Sequence, residues 1–164
     1  KKKIKNLITI IIPRHIHRTK QIIYQIKKLN LKIISHSSKN KILKNTDIYI
    51  VDTFGETKKF HKIGCSVFLG GSIIKRGGQN PLEAARYGAR ILHGPNTDNF
   101  KDIYKLLNSF KVSKKISSHK ELASSIIFKK NKNIGVKLNK IGKIILKKTI
   151  KELDYLIKDE FKKT

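Results

Sequence analysis

Short apolar runs alternate with helical-period stretches along the whole of this 164-residue chain. Residues 7–12 form a β-branched run stopped by Pro13, the pattern of a central parallel strand buried on both faces. From Thr19 the apolar positions Ile22, Ile23, Ile26 and Leu29 fall at helical spacing. Residues 31–35 predict the next strand, and strand, helix, strand implies a right-handed crossover. Further strands are predicted over 48–51, 66–69 (buried), 90–93 and 112–116, with one or two helical turns over 57–63. Helices are predicted to start at Asn80, at Asn99 and at Ser118, where Glu121 three residues on completes a capping box. Beyond Lys132, Ile141, Ile145, Leu146, Ile150, Leu153, Leu156 and Ile157 draw an apolar stripe through one long final helix, with disorder expected for the last few residues. No repeat or low-complexity linker divides the chain. The expectation is a single α/β domain over 1–164, with a Rossmann-like doubly wound parallel sheet.

Glycine concentrates at one place in this pattern. Gly70, Gly71, Gly77 and Gly78 follow the strand predicted over 66–69, and Asn80-Pro81-Leu82-Glu83 follows them. Asn as N-cap and Pro at the first helical position make a helix start. A glycine loop feeding such a start is a place where free N–H groups bind an anion. The same residues fit a capping box, with Glu83 reaching back to the cap backbone, and spacing alone leaves both readings open. The loop is neither a Gly-x-Gly-x-x-Gly fingerprint nor a Walker-type loop, so a nicotinamide enzyme or a nucleoside-triphosphatase is not expected.

Composition then narrows the picture. The net charge of +27 comes from 33 lysines against five arginines, with the lysines spread over the whole chain. Base readout and bidentate phosphate binding favour Arg, and no aromatic–basic interleaving suggests a stacking platform. A general lysine drift explains the charge better than a dedicated nucleic-acid binder, although it favours anionic membrane surfaces and phosphorylated substrates. No membrane-spanning run or secretory signal is visible. Cys65 excludes an intrachain disulfide, suits a reducing compartment and reads as a small core residue. The six histidines show no paired metal-ligand spacing and read as surface or strand-end residues. The absence of Met predicts a piece of a longer reading frame.

Four motifs in order, Pro13-Arg14-His15, Asp52-Thr53-Phe54-Gly55-Glu56, Gly70-Gly71-Ser72 and residues 77–83, are followed by Gly94-Pro95 and Asn99-Phe100. Each is weak alone; together they resemble the carboxy-terminal half of the bacterial 3-deoxy-D-manno-octulosonic acid (Kdo) transferases. The resemblance runs from about Leu7 into the final helix. It implies one half of a two-domain GT-B glycosyltransferase, the carboxy-terminal half binding CMP-Kdo. The amino-terminal half, which this sequence lacks, would bind the lipid A precursor and carry the catalytic carboxylate base. The donor half's first strand and helix are also missing here. Position 79 is Gln where many members have His.

The resemblance also implies roles. Arg14 would hold the donor phosphate with its guanidinium fork, and Pro13 would shape that strand end. Phe54, Gly55 and Glu56 would line the cytidine site. Asn80, Pro81, Leu82 and Glu83 would close it, with helix-start N–H groups facing the phosphate and Glu83 accepting the ribose hydroxyls. Gly71 and Ser72 would lie near the donor. Arg14 and the Asn80 helix dipole would stabilise charge growing on the departing CMP phosphate. No catalytic residue, cofactor or metal is expected in this chain, which by itself would be inactive. The partners would be the CMP-Kdo donor, the lipid A precursor and the cytoplasmic face of the inner membrane, met peripherally, with no nucleic acid. Two other readings stay open: another GT-B transferase or an epimerase using a uridine sugar nucleotide, and a basic module binding nucleic acid or anionic membranes. A decayed remnant that keeps only the fold is a further alternative.

Overall fold

A computed structural model describes residues 7–162, with side chains through 158; the expectation for the last few residues falls largely beyond that range. The chain forms two compact units, one ending at Phe60 and one starting at His61.

The first unit holds β1 (Thr9–Ile11), α1 (Thr19–Lys27), β2 (Ile33–Ser35) and β3 (Ile48–Ile50). The three strands form a parallel sheet in the order β1-β3-β2. The crossover through α1 therefore passes over the position that β3 fills. This corrects the place expected for the first run. β1 is an edge strand of this sheet and is only partly covered, because the most apolar-packed strand is β3, with Ile48, Ile50 and the following Val51 buried. Ile26, on the inner face of α1, is also buried. α1 stops at Lys28, and Asn30 follows at φ 54, a left-handed turn that Asn tolerates.

α2 (Thr57–Ile63) leads from the first unit into the second. The second unit contains β4 (Ser66–Leu69), α3 (Leu82–Arg86), β5 (Arg90–His93), α4 (Lys101–Ser109), β6 (Ser113–Lys115), α5 (His119–Ser125) and α6 (Lys132–Lys162). Its sheet is parallel, β4-β5-β6, with β5 in the middle. Leu69, Ala84, Ala85, Ala89, Ile91, Tyr104, Leu107, Val112 and Leu138 make one buried cluster. Each large side chain there contributes about 1.5–3 kcal/mol by leaving water. Within β4 only Leu69 is buried, and Phe68 is exposed, so this strand covers one face and not two.

Helix starts follow local chemistry. At α5 the Ser118 hydroxyl accepts from the Glu121 amide at 3.1 Å, while the Glu121 carboxylate accepts from Ser117 N and Oγ. Asn99 does not cap α4. It lies in a 3-10 turn (Asp98–Phe100), its amide donating to Gly77 O and its side chain standing against Gly77. Cys65 is partly exposed and so is not a core residue. The stripe predicted on α6 from Ile141 on is largely exposed, and the buried contact of this helix lies just ahead of it. Leu138 is buried against the second unit, whereas Ile145, Leu146, Ile150, Leu153, Leu156 and Ile157 are exposed.

Candidate functional site

In the first unit, β1 and β3 run parallel with Ile11 opposite Ile50, so the segments after them leave the same edge of the sheet. Pro13 and Arg14 follow β1; Phe54, Gly55 and Glu56 follow β3. The sequence-predicted residues of this unit thus follow the carboxyl ends of adjacent parallel strands, where open α/β sheets bind ligands. Arg14 is exposed and in no ion pair among the described residues. Phe54 is 83% exposed, an apolar ring left in water. Gly55 has φ +81, and no atom lies within 4 Å of where a Cβ would stand. The backbone there can approach a flat ligand closely. Glu56 is less available, because Lys59 Nζ lies 2.9 Å from its Oε2. That lysine's hydrogen bond holds the Glu56 carboxyl below its ordinary range.

Residues that the motifs did not single out brace this edge. The Ser37 amide and hydroxyl, just after β2, both donate to Asp52. Burial pushes the Asp52 carboxyl up, but those two bonds outweigh it and leave it lowered. His36 Nδ1 and Tyr49 Oη are hydrogen-bonded at 2.7 Å, and Phe60 stands edge-on to the His36 ring. A serine pair directly after a predicted strand was the available signal.

In the second unit the glycine loop is tightly tied. The Ser72 hydroxyl donates to Leu69 O at 2.6 Å and accepts from Gly94 N at 2.8 Å. Asn96 N and Nδ2 donate to Ser72 O, and Nδ2 donates to Ile73 O as well. Gly78 N donates to Gly71 O, both residues having positive φ near +73. Tyr104 Oη donates to Gln79 O, and its ring packs on His93 at 4.4 Å. Burial pushes the Tyr104 hydroxyl up to about 12, so it stays a donor. Ser72 is fully buried, which makes it a brace of the loop and not a surface that a donor could touch.

At the start of α3, Asn80 Oδ1 accepts from Leu82 N at 2.9 Å. Pro81 is fully buried and shapes the turn from beneath. The capping box expected for Glu83 is not formed. Its carboxylate points to His61, with Oε2 3.6 Å from Nδ1. α3 has only five residues, too few for an appreciable helix dipole, which removes the electrostatic role expected of it. His61 is buried and lies inside a helix, unlike the surface or strand-end place expected. Burial pushes its imidazole below 6.5, Glu83 draws it partly back and Lys130 adds to the lowering. Among the described residues no group of His, Cys, Asp or Glu could hold a metal ion.

No protein-family model matches this sequence. Among known proteins it is similar to the 3-deoxy-D-manno-octulosonic acid transferase of Rickettsia prowazekii (strain Madrid E). The two are 36% identical over 129 residues, 79% of this chain and 28% of that protein. The transferase of the same name from Haemophilus influenzae is 32% identical over 102 residues, 62% of this chain and 24% of that protein. A bifunctional glycosyltransferase/methyltransferase of Fusobacterium nucleatum is 32% identical over 127 residues, covering 76% of this chain and 20% of that protein. The chain therefore spans less than a third of the length of these relatives. Among solved structures, it superposes on the crystal structure of the C-terminal CMP-Kdo binding domain of WaaA from Acinetobacter baumannii. The TM-score is 0.70 at 24% identity, over 75% of this chain and 64% of that one. The fold is the Rossmann-like α/β fold of that domain.

Proposed function

The chain is a relative of the Kdo transferases, and on that kinship we propose that it forms the donor-binding part of such an enzyme, taking CMP-Kdo. The observation that carries the reading is the end of the first sheet, where Arg14, in no ion pair among the described residues, the bare ring of Phe54 and the open Gly55 follow two adjacent strands. In this reading Phe54 and Gly55 receive the cytosine: the ring offers an apolar face and the glycine lets backbone groups reach the base edge. Arg14 pairs with the phosphate through its planar fork. Glu83 accepts the ribose hydroxyls, and Asn80, Pro81 and Leu82 shape the turn that presents it. Glu56, engaged by Lys59, has the weakest case for touching nucleotide.

The reaction is transfer of the keto-sugar from CMP to a hydroxyl of a lipid A precursor. As the bond to the anomeric carbon breaks, the sugar gains oxocarbenium character and negative charge grows on the departing phosphate. A guanidinium fixed at that phosphate stabilises the transition state more than the ground state, and that difference accelerates the step. We assign the base and the acceptor site to no residue of this chain. None of the described helices is long and apolar enough to cross a membrane. With a lysine-rich surface, the chain would meet the anionic cytoplasmic leaflet of the inner membrane peripherally.

Calorimetric titration of the 164-residue chain with CMP, UMP and AMP tests this. CMP binding well above the other two is expected. Equal binding of all three would remove the donor assignment. Affinity for polyanions that falls steeply with salt, without nucleotide preference, would favour a basic binding module instead.

A further inference from the structure

His61 and Glu83 are an unequal pair. His61 is buried, and its backbone is pinned: Lys130 Nζ donates to His61 O at 3.0 Å and to Lys62 O at 2.7 Å, closing the carboxyl end of α2. Its Nδ1 is buried without a hydrogen-bond partner. Glu83, by contrast, has a side chain 56% exposed, and its capping bond is not made. Among the described residues its carboxylate makes one ion-pair contact, to His61 Nδ1 at 3.6 Å. A fixed, unpartnered ring nitrogen beside a half-exposed carboxylate is the arrangement of a group that aims another. A small rotation of the Glu83 side chain brings the pair to hydrogen-bond distance, and burial makes that bond costly to leave unmade. It leaves the second carboxylate oxygen turned to solvent.

We propose that His61 is a positioning residue: its Nδ1–H holds one oxygen of Glu83, so that the other is presented to the ribose hydroxyls of the bound cytidine nucleotide. This rests on reading Glu83 as the ribose acceptor. The imidazole acts as a neutral donor. The other charged group acting on it is Lys130, which caps the same helix through the His61 and Lys62 carbonyls. An imidazole whose only function was to fill the core would be indifferent to what stands at position 83.

The test is a double-mutant cycle on the full chain, read by CMP calorimetry and thermal unfolding. His61→Phe, which keeps a ring but removes the donor, is expected to weaken CMP binding about threefold to tenfold. His61→Gln, whose amide restores a donor, is expected to recover most of that loss. In a Glu83→Gln background His61→Phe should cost no further affinity. Should His61→Phe fail to fold, the 15N shift of the His61 imidazole serves without any change at 61: it should move when Glu83 becomes Gln. An unmoved shift, or a His61→Phe loss of the same size in both backgrounds, overturns the positioning role. If His61→Phe leaves affinity unchanged while Glu83→Gln weakens it, the inference fails and the ribose reading stands. If Glu83→Gln itself leaves CMP affinity unchanged, the ribose reading fails and takes the inference with it.

Discussion

The Ser72 hydroxyl and the Gly94 amide are hydrogen-bonded at 2.8 Å, joining residues 22 positions apart at the carboxyl ends of β4 and β5. The same hydroxyl donates to Leu69 O, so one buried side chain satisfies two backbone groups that water cannot reach. Ser72→Ala keeps the volume and strands both groups. A loss of about 1–3 kcal/mol in unfolding free energy is expected, measurable by urea titration. An unchanged midpoint would mean that the glycine loop is held by its other ties alone.

Arg14 and Phe54 were legible in the sequence because each follows an apolar run that had to be a strand, and a strand end is where an exposed charge or ring has a use. The bounds of β4 and β5 were legible for the same reason, being short apolar runs closed by glycine or a polar residue. The setting of Glu83 was not. A capping box is a local pattern, and nothing local showed that Asn80 would satisfy the Leu82 amide or that His61, 22 residues earlier, would sit beneath the carboxylate. The edge position of β1 was hidden for a similar reason. An apolar run says that a strand is covered, but pairing order is set by β3 entering between β1 and β2.

Glu83→Gln separates two roles that the sequence could not. With no capping bond to lose, the folded chain should keep its melting temperature. Loss of charge-assisted bonds to ribose should weaken CMP binding by about 1.5–3 kcal/mol, roughly ten- to 150-fold. A lowered melting temperature with unchanged CMP affinity would make Glu83 a structural residue.

Arg14→Ala should likewise leave stability within about 0.5 kcal/mol, since the side chain is exposed and unpaired among the described residues. CMP affinity should fall by about 1.5–3 kcal/mol while cytidine, which has no phosphate, should bind both proteins alike. Equal losses for CMP and cytidine would move Arg14 away from the phosphate.

Stability should depend on pH through His93. Burial holds its imidazole below 6.5, Gly94 O pulls it partly back and Lys115 adds to the lowering. Below about 6.5 the unfolded chain therefore takes up a proton that the folded chain resists. Stability is complete above that value and declines as the pH falls, with His61 acting in the same sense. The Asp52 carboxyl, lowered on balance from 3.8, acts only in more acid solution. The melting temperature should fall between pH 7.5 and 5.5, and His93→Gln should flatten part of that slope. A rise on acidification would contradict the assignment.

The two halves of α6 should respond differently to the same kind of change. Leu138 is 3% exposed within the core cluster of the second unit, whereas Leu153, on the same helix, is 52% exposed. Truncating a buried leucine removes its transfer energy and leaves a cavity, at a cost of about 2–5 kcal/mol. Leu153 is half exposed and outside that cluster, and Ala has the higher helix propensity, so a change within about 0.5 kcal/mol is expected. Urea unfolding of Leu138→Ala and Leu153→Ala, compared at equal protein concentration, measures both. If Leu153→Ala costs as much as Leu138→Ala, the distal face of α6 is covered in solution. A dependence of that cost on protein concentration would then identify a second copy of the chain as what covers it.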